Sequence, residues 1–148
     1  MEWLAPLRGK TVGLDTAPLI YFMEQNLTYL ETVRAFFQGM SQGEFQVVTS
    51  TVTLTEILVH PLRTGNTELA QQYRDILLDQ ENLTTFPVSP GIAELAAQLR
   101  AMQNLRTPDA IQIATAIQGG SAFFLTNDSR LPAIPDLKIL VLDELRNQ

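Results

Sequence analysis

The chain has 148 residues, sixteen acids against ten bases (net charge −6), 45% hydrophobic and 18% charged residues, and no cysteine. That length predicts one folded domain with a proper core, and the composition excludes a disordered chain, disulfides, thiolate metal sites and a cysteine nucleophile. No apolar run approaches the ~20 residues of a membrane span, and MEWLAPLRGK has neither the basic start nor the apolar stretch of a signal peptide, so a cytoplasmic protein is expected.

Trp3, the single tryptophan, precedes the first expected strand, and its surroundings are not legible from the sequence. TVGLD (11–15) reads as a short buried strand ending on an acid. Thr16-Ala17-Pro18 then opens a helix carrying Leu19, Ile20, Phe22 and Met23, with Pro18 near its first turn. A second helix is expected over Leu30 to Met40, with Val33, Phe36 and Phe37 on its apolar face. Phe45 to Thr49 is the second strand. Ser50 or Thr51 leads into a helix with Leu54, Ile57 and Leu58, closed by His60-Pro61. Thr53-x-x-Glu56 in this helix has the spacing of a capping box, which would occupy Glu56 with a backbone N–H.

Residues 61–66 read as a turn, Thr67 to Leu78 as an amphipathic helix, and Phe86-Pro87-Val88 as a short strand. Ser89-Pro90 caps a helix from Gly91 to about Met102. The next unit, TPDAIQIATAIQGGSAFFLTND (107–128), puts one carboxylate at the start of a helix and another at the end of the following strand. Thr107 reads as the cap, Pro108 lies in the first turn, and Asp109 sits beside the positive end of the helix dipole. Gln112, Thr115 and Gln118 form one narrow polar stripe on this helix, so the remaining faces are expected to be buried. Gly119-Gly120 stop it, and Ala122 to Thr126 is a strand without a charge. Leu137 to Leu142 is the last strand, followed by a polar tail from Asp143 to Gln148.

Strands alternate with helices throughout, which predicts right-handed βαβ units: a three-layer α/β/α domain with a mostly parallel central sheet. In such sheets ligands gather outside the carboxyl ends of the strands. Asp15 and Asp128 each end a strand, Asp109 opens a helix, and Glu56 lies about one turn inside another, so all four can converge on that edge. Oxygen-only donors suit a hard cation, Mg²⁺ or Mn²⁺, and two such ions support phosphodiester cleavage. The acidic balance argues against a broad nucleic-acid surface but not against a small site where metal reverses the local field.

The early strand ending in Asp15, T-L-T-E around Glu56, T-P-D-A around Asp109 and T-N-D around Asp128 together resemble the PIN domain family, metal-dependent ribonucleases that include VapC-type toxins. The order and spacing match over almost the whole chain, so the resemblance implies a single PIN domain over residues 1–148. It further implies an acidic quartet of Asp15, Glu56, Asp109 and Asp128 acting as metal ligands and catalytic groups, with Thr126 or Asn127 as helper beside the last acid. The implied activity is Mg²⁺- or Mn²⁺-dependent endoribonuclease cleavage of single-stranded RNA. The implied partners are a second copy of the chain and a small antitoxin that inserts a side chain into the site. Many family members carry Phe just after the last acid, where this chain has Ser129-Arg130-Leu131. Arg63, Arg106 and Arg130, expected in loops near the active edge, are the candidate phosphate contacts, Arg130 foremost.

Two other readings compete. A phosphatase of the haloacid dehalogenase type needs D-x-D at the first strand, and Asp15-Thr16-Ala17 lacks the second acid. A PIN fold kept as a binding module, without turnover, is the non-enzymatic alternative. His60 has no second histidine beside it, and neither a G-x-S-x-G elbow nor a phosphate-binding loop is present.

Overall fold

Five short β-prone runs form one sheet in the computed structural model, which describes residues 1–146. They are β1 (Thr11–Leu14), β2 (Gln46–Ser50), β3 (Leu83–Phe86), β4 (Phe123–Thr126) and β5 (Lys138–Val141), in the spatial order β3-β2-β1-β4-β5. Every neighbouring pair is parallel, so the fold is α/β with a wholly parallel central sheet. Parallel neighbours need long crossovers, and helices supply most of them. α1 (Thr16–Met23) and α2 (Leu30–Ser41) join β1 to β2, whereas α3 (Thr51–Thr64) and α4 (Thr67–Leu78) join β2 to β3. α5 (Pro90–Met102) and α6 (Thr107–Gln118) carry the chain across the sheet to β4.

Alternation along the strands feeds two cores. Val12, Leu14, Val47 and Leu125 point into the larger core, which α1 to α4 and an N-terminal 3-10 helix (Glu2–Leu7) cover. Phe124 points to the opposite face, where Ile113 of α6 and Ile92 of α5 meet it. α6 lies directly on β1 at Gly13: a Cβ there would stand 2.4 Å from the Cβ of Ala116 and 2.9 Å from the Phe124 ring. A glycine is therefore required where this helix crosses the middle of the sheet. Trp3 is buried in the larger core and stacks on Phe36, with centroids 6.2 Å apart.

Several boundaries differ from the sequence reading, each for a local reason. The third strand is Leu83–Phe86 rather than 86–88, because it pairs with β2 from Val47 to Ser50 and ends before Pro87, which has no N–H to give. α3 does not close at His60-Pro61 and residues 61–66 are not one turn. The helix runs through Pro61 to Thr64, and Gly65 ends it in the left-handed region at φ 73°. Pro61 removes a single helical N–H close to the end, and its ring is buried. Thr107 is the first helical residue of α6, not its cap; Arg106 holds the cap position, and its side chain accepts no capping bond from the helix N–H groups. The polar stripe of α6 is not its solvent face, since Gln112 and Thr115 are buried while Ile117 is exposed. After β5 the chain makes a short helix, α7 (Leu142–Leu145), anchored by buried Leu142 and Leu145. The end of the expected polar tail, residues 147–148, lies outside the described residues.

Candidate active site

β1 sits where the strand order reverses, with β2 on one side and β4 on the other, and the edge beyond its carboxyl end is the natural place for a site. Asp15 occupies it as the cap of α1. Its Oδ1 accepts the Thr16 N–H at 2.8 Å and its Oδ2 accepts the Thr126 hydroxyl at 2.8 Å. Burial pushes this carboxyl above its ordinary value; the Thr126 and Thr16 bonds oppose the rise, and the nearby charges of Asp109 and Glu56 add to it.

Glu56 reaches the same edge from the second turn of α3 and accepts the Thr16 hydroxyl at 2.6 Å. The capping box expected of it does not form. Ser50 is the cap, its Oγ accepting the Val52 N–H at 3.1 Å, and Thr53 is buried inside the helix. Asp109 lies in the first turn of α6, where its Oδ2 accepts Arg106 Nε at 3.1 Å. Asp128 follows β4, and its Oδ1 accepts both the backbone N–H of Arg130, at 2.9 Å, and Arg130 Nε, at 3.1 Å. The Arg130 backbone N–H, then its guanidinium and the charge of Arg106, hold the Asp128 carboxyl below its ordinary value against partial burial.

All four carboxylates line one open cleft of about 430 Å³, with Arg106 and Arg130 at its rim. Of the two expected helpers, Thr126 joins the acids: it donates to Asp15 and accepts the Asp128 N–H at 3.1 Å. Asn127 borders the cleft but bonds elsewhere, with Nδ2 donating to the Tyr21 hydroxyl at 3.4 Å and Oδ1 accepting the Asp143 N–H at 3.1 Å. Arg63 is not a loop residue and does not line the cleft; it stands in the last turn of α3, about 10 Å along the axis from Glu56. Two residues that sequence reasoning passed over belong to the floor. Thr16 links Asp15 to Glu56, and Gln112, three residues after Asp109 on α6, is buried beneath them. The available signal was one amide among apolar neighbours on the same helical face as an acid.

The donor set is all oxygen, four carboxylates and a hydroxyl, which is the chemistry of Mg²⁺ and Mn²⁺ sites and not of zinc or copper. Each Asp15 oxygen keeps a lone pair beyond the one its protein donor uses. Among the described residues no three acids stand close enough to clasp an ion, and two of the four are engaged by arginines. The residues fit such a cation in kind: each arginine engages one oxygen of its carboxylate, Oδ2 of Asp109 and Oδ1 of Asp128, and the other oxygen is left to ligate.

The PIN domain family model matches residues 12–137. No curated protein matches the sequence significantly. Among solved structures, the fold resembles that of VapBC2 from Rickettsia felis bound to a DNA fragment from its promoter, with TM-score 0.69 and 17% identity over 88% of this chain and 98% of that one. DNA-bound VapBC from Salmonella typhimurium gives TM-score 0.61 and 18% identity, covering 90% and 98% of the two chains. VapC20 of Mycobacterium tuberculosis, a toxin that cleaves the sarcin-ricin loop, gives 0.63 and 15%, covering 81% and 91%.

Proposed function

The chain belongs to the PIN domain family, and from that premise we propose that it is a Mg²⁺- or Mn²⁺-dependent endoribonuclease acting on single-stranded RNA, the toxin of a toxin–antitoxin pair. One observation carries the reading: four carboxylates far apart in the sequence line a single cleft at the switch point of a parallel sheet. Asp15, Asp109 and Asp128 hold the metal, and Glu56 holds it or orients the attacking water. A divalent ion held by these residues would supply Lewis-acid activation of water and charge stabilisation for a departing phosphodiester oxygen. Thr126 fixes one oxygen of Asp15, so this ligand needs no reorganisation before substrate arrives. Arg106 and Arg130 exchange their carboxylates for the phosphates flanking the cleavage point, where a guanidinium bonds in bidentate fashion. The toxin–antitoxin complexes among the similar folds support a small antitoxin partner; a homodimer and a cytoplasmic location complete the proposal.

A second reading, a binding module without turnover, is favoured by the arginine pairs that engage two of the four acids. Cleavage of a labelled single-stranded RNA, compared in Mn²⁺, Mg²⁺ and EDTA and with Asp15→Asn alongside, separates the two. Metal-dependent cleavage that disappears in the variant is expected. Intact RNA under every metal, from protein shown by mass spectrometry to carry no inhibitor, selects the binding module.

A further inference from the structure

Beneath the cleft floor lies a cluster of buried polar side chains: Thr16, Thr49, Ser50, Thr53 and Gln112, drawn from α1, β2, α3 and α6. Each hydroxyl has one proton to give, and the protons can be assigned one by one. Thr49 gives its proton to the Leu14 carbonyl at 2.8 Å. Its oxygen, 2.9 Å from that of Thr53, therefore accepts the Thr53 proton. Ser50 gives its proton to Gln112 Oε1 at 2.8 Å, and Thr16 gives its own to Glu56 at 2.6 Å. The Thr16 and Thr53 oxygens stand 3.1 Å apart, yet neither has a proton left for the other. Two such oxygens held together need an outside donor. The Gln112 amide is that donor, with Nε2 2.5 Å from Thr53 Oγ1 and 3.4 Å from Thr16 Oγ1. Turning the amide over would set a carbonyl against two acceptors and an NH₂ against the Ser50 proton, so the network admits one orientation.

We infer that Gln112 is a positioning residue: by supplying the N–H that Thr16 and Thr53 share, it keeps the Thr16 proton committed to Glu56 and holds that carboxylate in place at the cleft. The inference rests on the nuclease reading, in which Glu56 is a ligand or orients water. Without the amide, the Thr16 hydroxyl has a second acceptor in Thr53. Glu56, itself exposed to solvent, then regains rotamer freedom that must be lost again in each productive encounter. Removal of an outer-shell partner of this kind typically lowers metal affinity or activity by about tenfold or more.

The test compares Gln112→Met, which keeps length and neutrality but has no N–H, with Thr16→Val and with the double variant. Mn²⁺ affinity is read by titration calorimetry, kcat and KM by cleavage of labelled single-stranded RNA, and folding by thermal melting. Each single variant is expected to lose about tenfold in kcat with KM for RNA unchanged and to bind Mn²⁺ more weakly. The double variant is expected to be no worse than Thr16→Val, because both changes act through one hydrogen bond. Wild-type kcat in Gln112→Met, or losses that multiply in the double variant, would overturn the inference and leave Gln112 as core packing. If Gln112→Met does not fold, Gln112→Leu takes its place: it likewise offers no hydrogen-bond donor, and wild-type kcat in it is equally fatal. Should wild-type protein cleave nothing, the nuclease reading fails by itself, and the Mn²⁺ titration still decides whether Gln112 tunes the site: weaker binding in Gln112→Met sustains the inference and unchanged binding refutes it. A wild-type protein that binds no Mn²⁺ overturns both.

Discussion

The floor and the rim of the cleft hold two acids each, and they hold them differently. On the floor, both Asp15 oxygens accept fixed protein donors, and Glu56 takes the proton of a buried threonine that a buried amide supports in turn. At the rim, Asp109 and Asp128 lean on arginines whose side chains are 75% and 84% exposed. An exposed guanidinium loses rotamer entropy on pairing and is screened by salt, so each rim pair contributes little stability. The floor is preorganised by buried donors, at the expense of burying the charge of Asp15, and the rim is paired with exposed partners that can be exchanged. Under the proposed function the site admits a cation and a phosphate, and the two kinds of support side by side suit that task.

The sharpest way to break this comparison is to neutralise one acid from each region. Asp15→Asn and Asp109→Asn each remove a ligand charge at nearly constant volume, and both are expected to lower metal-dependent cleavage at least about a thousandfold. Activity at wild-type level in Asp109→Asn would return that residue to a helix-start acid. Stability should separate the two variants where activity does not.

Asp15 has a folded-state pKa above its ordinary value of 3.8, chiefly because it is buried. The folded protein therefore binds more protons than the unfolded chain between 3.8 and that raised value, and stability falls as pH rises through the window. Above it, the ionised carboxylate is a constant penalty, which asparagine does not incur. Asp15→Asn is expected to melt higher than wild type at pH 7, with the gain vanishing below pH 3.8. Asp109→Asn should melt slightly lower, since it loses an exposed pair and a favourable charge at a helix start. Melting curves of both variants at pH 7 and pH 3.5 check the signs, and a destabilised Asp15→Asn would mean that the floor's hydrogen bonds outweigh its desolvation.

A smaller effect tests the rim alone. If Arg106 and Arg130 compete with the cation for Asp109 and Asp128, removing both should tighten Mn²⁺ binding while weakening RNA binding. Because exposed pairs are weak, the gain in Mn²⁺ affinity is expected to stay below about tenfold. Calorimetry on Arg106→Ala/Arg130→Ala without RNA measures it directly. Weaker Mn²⁺ binding would show that the arginines shape the site rather than cover it.

The same division separates what was legible in the sequence from what was not. The four acids announce themselves because each sits at a chemical boundary, after an apolar strand or in the first turns of a helix, and the alternation of elements brings those boundaries to one edge. The floor beneath them is silent, because Gln112 and Thr115 look like a solvent stripe until the hydroxyls of β2 and α3 stand opposite and satisfy the amide. Thr53-x-x-Glu56 misleads for the same reason: the local capping pattern is present, but Ser50 starts the helix and the Thr53 hydroxyl bonds across the core. β3 begins three residues before the run the sequence suggests, because pairing with β2 decides its register and a run as short as LTTF carries little signal of its own. α3 outruns Pro61 because a proline close to a helix end sacrifices only one N–H, which places Arg63 on that helix and away from the cleft.

The finest distinction lies within the rim. Arg130 bonds Asp128 through both its backbone N–H and its guanidinium, and both bonds keep that carboxyl below its ordinary value. Arg130→Ala removes only the guanidinium, so the backbone donor continues to orient Asp128 while the candidate phosphate contact is gone. Metal-dependent chemistry on saturating RNA should change little, and RNA affinity should fall. Because a single-stranded contact releases about 0.7 of a counterion, the slope of log affinity against log salt should shrink by about 0.7. Filter binding in Ca²⁺ across a range of salt measures that slope without turnover. An unchanged slope would assign Arg130 to Asp128 alone and leave Arg106 as the rim's remaining candidate for the phosphate.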